Sequence, residues 1–168
     1  MTDRSEPTSG LELLDLRDRP DLLEQVIEQN YEQWHEFADL DRDDMRELFR
    51  LDVPRGELPV HLVALIDGRY AGEVSLRARS MGSVKYPQVY LEGKSPWLSN
   101  MWVAPWARGK GLATKMTREL DAIAKALGYS RIYSSTEFPD SLYHKAGYRD
   151  IEQRTHKGRP IYLIYKDL

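Results

Sequence analysis

Residues 103–117 combine the end of an apolar segment, a basic glycine-rich turn and the start of a helical pattern. The apolar run over 97–103 predicts a buried strand, which Pro105 ends. A turn over 108–111 follows, and apolar spacing over 112–127 predicts a helix. Backbone N–H groups at such a turn and at a helix N-terminus bind anions, and glycine lets a phosphate approach the main chain closely. The segment therefore predicts a site for a phosphate-bearing ligand.

Two common phosphate-binding motifs do not fit this turn. A P-loop needs Gly-x-x-x-x-Gly-Lys-Ser/Thr, which cannot be laid over residues 108–113. The dinucleotide fingerprint Gly-x-Gly-x-x-Gly is incomplete, and the surrounding pattern is not a repeated βαβ unit. The remaining alternative to a ligand site is a plain strand-to-helix turn with a solvated basic edge.

The composition is that of one globular domain. The chain has 168 residues, and 24 basic against 27 acidic side chains give a net charge of -3, which argues against nonspecific nucleic-acid binding. No apolar run approaches the roughly 18 residues of a membrane span, and the N-terminal residues lack the pattern of a signal peptide. Absence of cysteine removes disulfides, thiolate metal sites and a cysteine nucleophile. We expect a cytoplasmic protein that holds no metal. Residues 1–9 are predicted to be flexible, and residues 10–168 to form one domain. The sequence leaves the oligomeric state open, and a dimer is possible.

The other segments predict a mixed α+β fold with a central sheet. The segment over 79–96 is long and irregular, and loops of this length in compact domains are usually functional or disordered. Apolar periodicity and turn residues predict the following elements: a strand over 11–16, a helix from 21 to about 37, a second helix capped by Asp41, hairpin strands over 60–66 and 70–78 around Asp67-Gly68, a strand over 131–135, a short helix over 141–146, and strands over 148–154 and 161–166 around a turn at 157–160.

Two motifs of this chain resemble those of the GNAT superfamily of N-acetyltransferases. Residues 108–113, Arg-Gly-Lys-Gly-Leu-Ala, fit the acyl-CoA-binding pattern Arg/Gln-x-x-Gly-x-Gly/Ala, and residues 142–148, Leu-Tyr-His-Lys-Ala-Gly-Tyr, fit Leu-Tyr-x-Lys-x-Gly-Phe/Tyr. The likeness covers nearly the whole chain after residue 10. It implies a mostly antiparallel sheet flanked by helices, acetyl-CoA as co-substrate, and direct acetyl transfer to a primary amine.

The resemblance places the acyl-CoA site on the end of the 97–103 strand and on the turn. It implies main-chain contacts from the strand to the pantetheine arm and phosphate contacts from the turn. The cofactor-binding residues implied are Met101, Val103, Arg108, Gly109, Lys110, Gly111, Leu112, Ala113 and Thr114. Many members carry an asparagine seven residues before the tyrosine of the second motif, where this chain has Thr136.

Tyr143 stands at the position of the family's general acid. A phenol with a pKa of about 10 can protonate a thiolate whose pKa is about 8.5, although packing against the sheet is the alternative role. His144, one residue along, is expected on the surface.

The base is less defined, because the 97–103 strand contains no acid and offers only Ser99 and Asn100. Glu137, Glu73 and Glu92 are the nearby acids, each expected to be a solvated carboxylate more often than a base. Water ordered by Asn100 or Ser99 is equally open. The predicted catalytic residues are Tyr143, Glu137 and Asn100.

The acceptor side is the least defined part of the sequence. Six aromatic residues could line an acceptor pocket or belong to the core: Tyr31, Trp34, Phe37, Tyr86, Tyr90 and Trp97. The favoured function is acetylation of a small-molecule amine. Two alternatives remain, a non-catalytic acyl-CoA sensor or interaction module, and a protein acetyltransferase that acts on N-termini or lysines.

Overall fold

A computed structural model describes residues 10–168; the segment 1–9, predicted to be flexible, lies outside the described residues. The strands are β1 (Leu11–Asp15), β2 (Val60–Ile66), β3 (Arg69–Arg77), β4 (Trp97–Val103), β5 (Arg131–Thr136), β6 (Arg149–His156) and β7 (Arg159–Asp167). The helices are α1 (Leu23–Ala38), α2 (Arg42–Leu48), α3 (Leu112–Ala126) and α4 (Leu142–Lys145).

Within the described part of the chain, the strands form one seven-stranded sheet in the order β1-β2-β3-β4-β5-β7-β6. Neighbouring strands are antiparallel except β4 and β5, which run parallel. Helices cover both faces of the sheet. The predicted α+β class with a mostly antiparallel central sheet is confirmed.

The parallel strands β4 and β5 separate soon after they begin. They pair at Trp97 and Tyr133, and no other register pair joins them among residues 10–168. On its other edge, β4 contains a bulge, since Ser99 pairs with Ser75 and Trp102 with Glu73. Two residues, Asn100 and Met101, therefore stand opposite Val74. The separation and the bulge together open a gap in the middle of the sheet.

The core lies in layers on the two faces of the sheet. On one face, α3 buries a stripe at four-residue spacing, Leu112, Met116, Leu120 and Ala124, against the sheet. Full burial of a leucine or methionine contributes about 1.5–3 kcal/mol. On the other face, Val26 and Ile27 of α1 pack with Val63 and Leu65 of β2. These contacts fix α1 and α3 on either side of the central gap.

The turns agree with the sequence pattern at one hairpin and differ at another. Asp67 and Gly68 join β2 to β3 with positive φ angles of 50° and 76°, as the Asp-Gly pair predicts. The predicted turn over 157–160 is too long. Lys157 and Gly158 form a two-residue turn with φ angles of 51° and 78°, and Arg159 already belongs to β7.

Candidate active site

The predicted phosphate turn connects β4 to α3. Gly109 and Gly111 have φ angles of 76° and 75°, in the left-handed region that favours glycine. A Cβ atom added at either glycine would meet nothing within 4 Å, so the space beside the turn is open. The turn thus exposes its main chain at the entry of a helix.

The N-terminus of α3 is available to an anion. Gly111 at the N-cap has no side chain to accept from the first amides, and no acid of the described residues lies in the first turn. The backbone N–H groups of Leu112, Ala113 and Thr114 are among the four that a helix leaves unpaired at its start. With the positive end of the helix dipole, these groups fit the pyrophosphate of CoA.

A cavity of ≈ 310 Å³ lies over this turn. Its wall brings together most of the predicted cofactor-binding residues: Met101, Val103, Arg108, Gly109, Gly111, Leu112, Ala113 and Thr114, with Ala107 and Leu142. Lys110 is outside the wall, and its Nζ lies 5.8 Å from the centroid of the Trp106 ring. Arg108 donates from Nε to the main-chain oxygen of Val103 at 3.0 Å.

A second cavity of ≈ 450 Å³ adjoins the first and shares Met101 with it. Its wall is formed by α1, the 79–96 loop, β4, β5, the segment up to α4, and the start of β7. The lining residues are Gln33, Trp34, Phe37, Ala38, Ser80, Met81, Gly82, Tyr90, Leu98, Ser99, Asn100, Met101, Ser134, Ser135, Thr136, Glu137, Phe138, Tyr143, Arg159 and Ile161. The separated strands β4 and β5 place their side chains in this wall.

Of the six aromatic residues singled out from the sequence, three line the second cavity: Trp34, Phe37 and Tyr90. Trp97 is fully buried and packs against Tyr133 and Tyr90. The remaining two contact histidines outside the cavity wall: Tyr31 stacks on His35, and Tyr86 packs at a tilt of 56° against His156.

Tyr143 lies at the boundary of the two cavities. It lines the second cavity, whereas its neighbour Leu142 lines the first. The half-buried ring packs edge-on against Tyr148 with the centroids 5.7 Å apart. Burial raises the pKa of the Tyr143 hydroxyl above its usual value, which keeps the proton on the oxygen at neutral pH.

His144 is not the surface residue that the sequence indicates. Its side chain is 18% exposed, and Nδ1 accepts from the Ser141 amide at 3.1 Å while Nε2 lies 2.8 Å from Asp150. Ser141 and His144 form the capping box of α4. His144 therefore fixes the short helix that carries Tyr143.

Glu73 is also not the solvated carboxylate that was expected. It is 2% exposed and accepts hydrogen bonds from the Asn30 carboxamide and, at 2.7 Å, from the Tyr70 hydroxyl. Burial raises the pKa of Glu73 to about 8. The hydrogen bonds from Tyr70 and Asn30 lower this pKa, but their effect is smaller than that of burial. Asn30 in turn accepts from Asn100 Nδ2 at 2.7 Å. No local sequence signal indicates this network, because Asn30 and Glu73 come from elements that are distant along the chain.

Asn100 and Glu137 both reach the second cavity. Asn100 has a left-handed φ of 62° at the bulge and is buried, and its Oδ1 has no hydrogen-bond partner among the described residues. The Glu137 side chain is 39% exposed and lies 4.0 Å from Arg159. Glu92 is exposed and outside the wall, and Thr136 accepts from the Phe138 amide at 3.3 Å.

The described residues contain neither a candidate metal site nor a candidate membrane-spanning helix. No group of three or more histidine, cysteine, aspartate or glutamate side chains in residues 10–168 could hold a metal ion. In the same residues, no helix has the length and apolar character needed to cross a membrane.

Solved structures of acetyltransferases share this fold. An acetyltransferase from Streptococcus agalactiae is 20% identical with a TM-score of 0.63, over 95% of this chain and 99% of that one. An aminoglycoside 6'-N-acetyltransferase complexed with coenzyme A is 14% identical with a TM-score of 0.65, over 94% and 96%. A chimeric spermidine N-acetyltransferase, derived in part from Vibrio cholerae, is 20% identical with a TM-score of 0.64, over 94% and 95%. Comparison with curated protein sequences gives no match.

The family model described as the acetyltransferase (GNAT) family matches residues 20–148, which is most of the chain. Together with the fold, this match shows that the chain belongs to the GNAT family of acetyl-CoA-dependent N-acetyltransferases. Acetyl-CoA is accordingly its co-substrate.

Proposed function

We propose that the protein, folded as one domain over residues 10–168, transfers the acetyl group of acetyl-CoA directly to a primary amine of a small molecule. The observation that supports this most is the pair of adjoining cavities that share Met101, with Tyr143 in the wall of the second and its neighbour Leu142 in the wall of the first. The cavity at the α3 N-terminus suits the phosphates of the donor. The cavity behind it, walled by aromatic and polar side chains, suits a small acceptor.

In this proposal the donor lies along β4 with its pyrophosphate on the turn. Gly109, Gly111 and the first amides of α3 hold the phosphates, and the main chain of Met101 and Val103 contacts the pantetheine arm. The Arg108 side chain leaves the Val103 oxygen and turns to the phosphates. The thioester then points toward the boundary where Tyr143 lies.

The acetyl transfer needs one acid and one proton acceptor. The amine nitrogen forms a bond to the thioester carbonyl carbon, the carbon–sulfur bond breaks, and Tyr143 donates its proton to the departing CoA sulfur. The proton of the amine goes to Glu137, directly or through water ordered by Asn100 or Ser99. Proton transfer from solvent then restores the Tyr143 hydroxyl.

A panel of primary amines with acetyl-CoA tests this proposal, with free thiol as the readout. We expect thiol release that depends on the amine and yields one N-acetylated product per thiol. CoA binding measured by calorimetry without amine-dependent thiol release would instead indicate an acyl-CoA sensor. Activity on peptides but on no small amine would indicate a protein acetyltransferase.

A further inference from the structure

The charges in the wall of the second cavity balance each other. Among the described residues, this wall contains one carboxylate, Glu137, and one guanidinium, Arg159. Glu137 follows β5 and Arg159 begins β7, and these two strands are antiparallel neighbours. Both side chains therefore stand at the same end of the cavity.

Arg159 is only loosely engaged by Glu137. Its Nη1 lies 4.0 Å from Glu137 Oε1, which is too long for a hydrogen bond, and its side chain is 70% exposed. By contrast, Arg17 and Arg131 hold their aspartates at 2.6 and 2.7 Å. A guanidinium has five N–H donors in a planar fork that matches a carboxylate. Arg159 thus presents donors that the other residues of 10–168 leave available to an anionic group.

The acids near the C-terminal end of α1 do not add negative charge to the wall. Asp39 pairs with Lys157 at 2.8 Å, and Asp41 and Asp44 form the capping box of α2. None of them lines the cavity. A polycationic acceptor needs several carboxylates, because each ammonium group that leaves water requires a partner. A wall with one acid and one arginine does not supply them.

We propose that the acceptor is an amino acid, a primary amine that also carries a carboxylate, with an apolar or aromatic side chain. Arg159 binds the carboxylate, Glu137 faces the amino group, and Trp34, Phe37 and Phe138 contact the apolar part. This inference rests on the proposed acetyl transfer to a small amine. It separates this protein from the acceptors named for two of its structural relatives, aminoglycosides and spermidine.

Three acceptors that differ in charge test the inference: L-phenylalanine, 2-phenylethylamine and spermidine. The first two differ by the carboxylate alone. We expect kcat/KM for L-phenylalanine to exceed that for 2-phenylethylamine by about 10- to 100-fold, as for a hydrogen-bonded charged group. Equal or better use of 2-phenylethylamine or spermidine would overturn the inference.

Variants of Arg159 separate recognition of the carboxylate from a general effect on structure. Arg159→Gln should reduce the ratio of kcat/KM for L-phenylalanine over 2-phenylethylamine to about one, and Arg159→Lys should restore this preference in part. Arg149→Gln, which removes an exposed arginine of β6 outside the wall, is the matched control and should leave the ratio unchanged. An equal loss for both acceptors in Arg159→Gln would also overturn the inference.

A binding measurement keeps the inference distinct from the proposed reaction. Calorimetry of the CoA-saturated protein with L-phenylalanine and with 2-phenylethylamine needs no turnover. If no acceptor releases thiol, the proposed function fails. The inference is then still supported if L-phenylalanine binds more tightly than 2-phenylethylamine and if Arg159→Gln removes this difference in affinity. Equal affinities in the wild type would overturn it.

Discussion

Glu73→Gln should change how the stability of the protein depends on pH. Glu73 is buried between Asn30 and Tyr70, and burial raises its pKa from 4.5 to about 8. Between these values the folded chain binds one proton more than the unfolded chain. The free energy of unfolding of the wild type therefore falls as the pH rises, by up to about 1.4 kcal/mol per pH unit.

Glutamine has nearly the same shape but does not titrate. Its Oε1 still accepts from Asn30 Nδ2, and its Nε2 donates to the Tyr70 oxygen, so the side chain keeps both contacts, with the direction of the second reversed. Integrated between pH 5 and pH 8, the linkage for Glu73 amounts to about 3–4 kcal/mol. Glu73→Gln should thus gain about this much stability over the wild type across that interval.

Urea unfolding at pH 5, 6, 7 and 8 measures this difference, and groups common to both proteins cancel. Glu32→Gln, which removes an exposed carboxylate of α1, is the control for removing a negative charge. A stability difference between Glu73→Gln and the wild type that stays constant or shrinks as the pH rises would refute the reasoning. It would mean that Glu73 is ionised in the folded protein throughout this range.

Three further substitutions test the site and the fold. Tyr143→Phe should lower kcat by about 100-fold, the size of a general-acid contribution, and leave the CoA dissociation constant within twofold; equal losses in both would indicate a packing role. Gly111→Asp should abolish CoA binding in calorimetry, whereas Gly158→Asp, at a similar φ in the β6–β7 turn, should preserve it. Asp41→Ala should lower the free energy of unfolding by about 1 kcal/mol in urea, because it removes the N-cap of α2; an unchanged midpoint would contradict this.

The strands and helices were predictable where the signal is local. The strand over 97–103 and the start of α3 at Leu112 agree with the structure, because an apolar run, Pro105 and the glycine turn define them within a few residues. The turn at Lys157-Gly158 was predicted two residues too long, because proline at 160 suggests a loop. In the structure Pro160 instead pairs with Thr155 at the start of the β6–β7 ladder.

The parts of the site that depend on distant contacts could not be predicted. Glu73 appears as an ordinary strand acid in the sequence, and only the packing of α1 on the sheet removes it from water. Arg159 gave no signal either, because its place in the cavity wall depends on the pairing of β5 with β7. Most of the residues that the motifs predict for the donor line one cavity, because they lie within one continuous segment.

The open glycine turn has a consequence for how this protein can change over time. A site in which Gly109, Gly111 and the first amides of α3 hold the donor depends on backbone conformation, so most side-chain replacements around it leave the donor bound. The second cavity, which we propose for the acceptor, is instead lined by side chains from α1, the 79–96 loop, β4, β5, the segment up to α4, and β7. Substitutions there can redirect the enzyme to a new amine while its acetyl source stays the same. Directed evolution of acceptor choice should therefore begin at Trp34, Phe138 and Arg159.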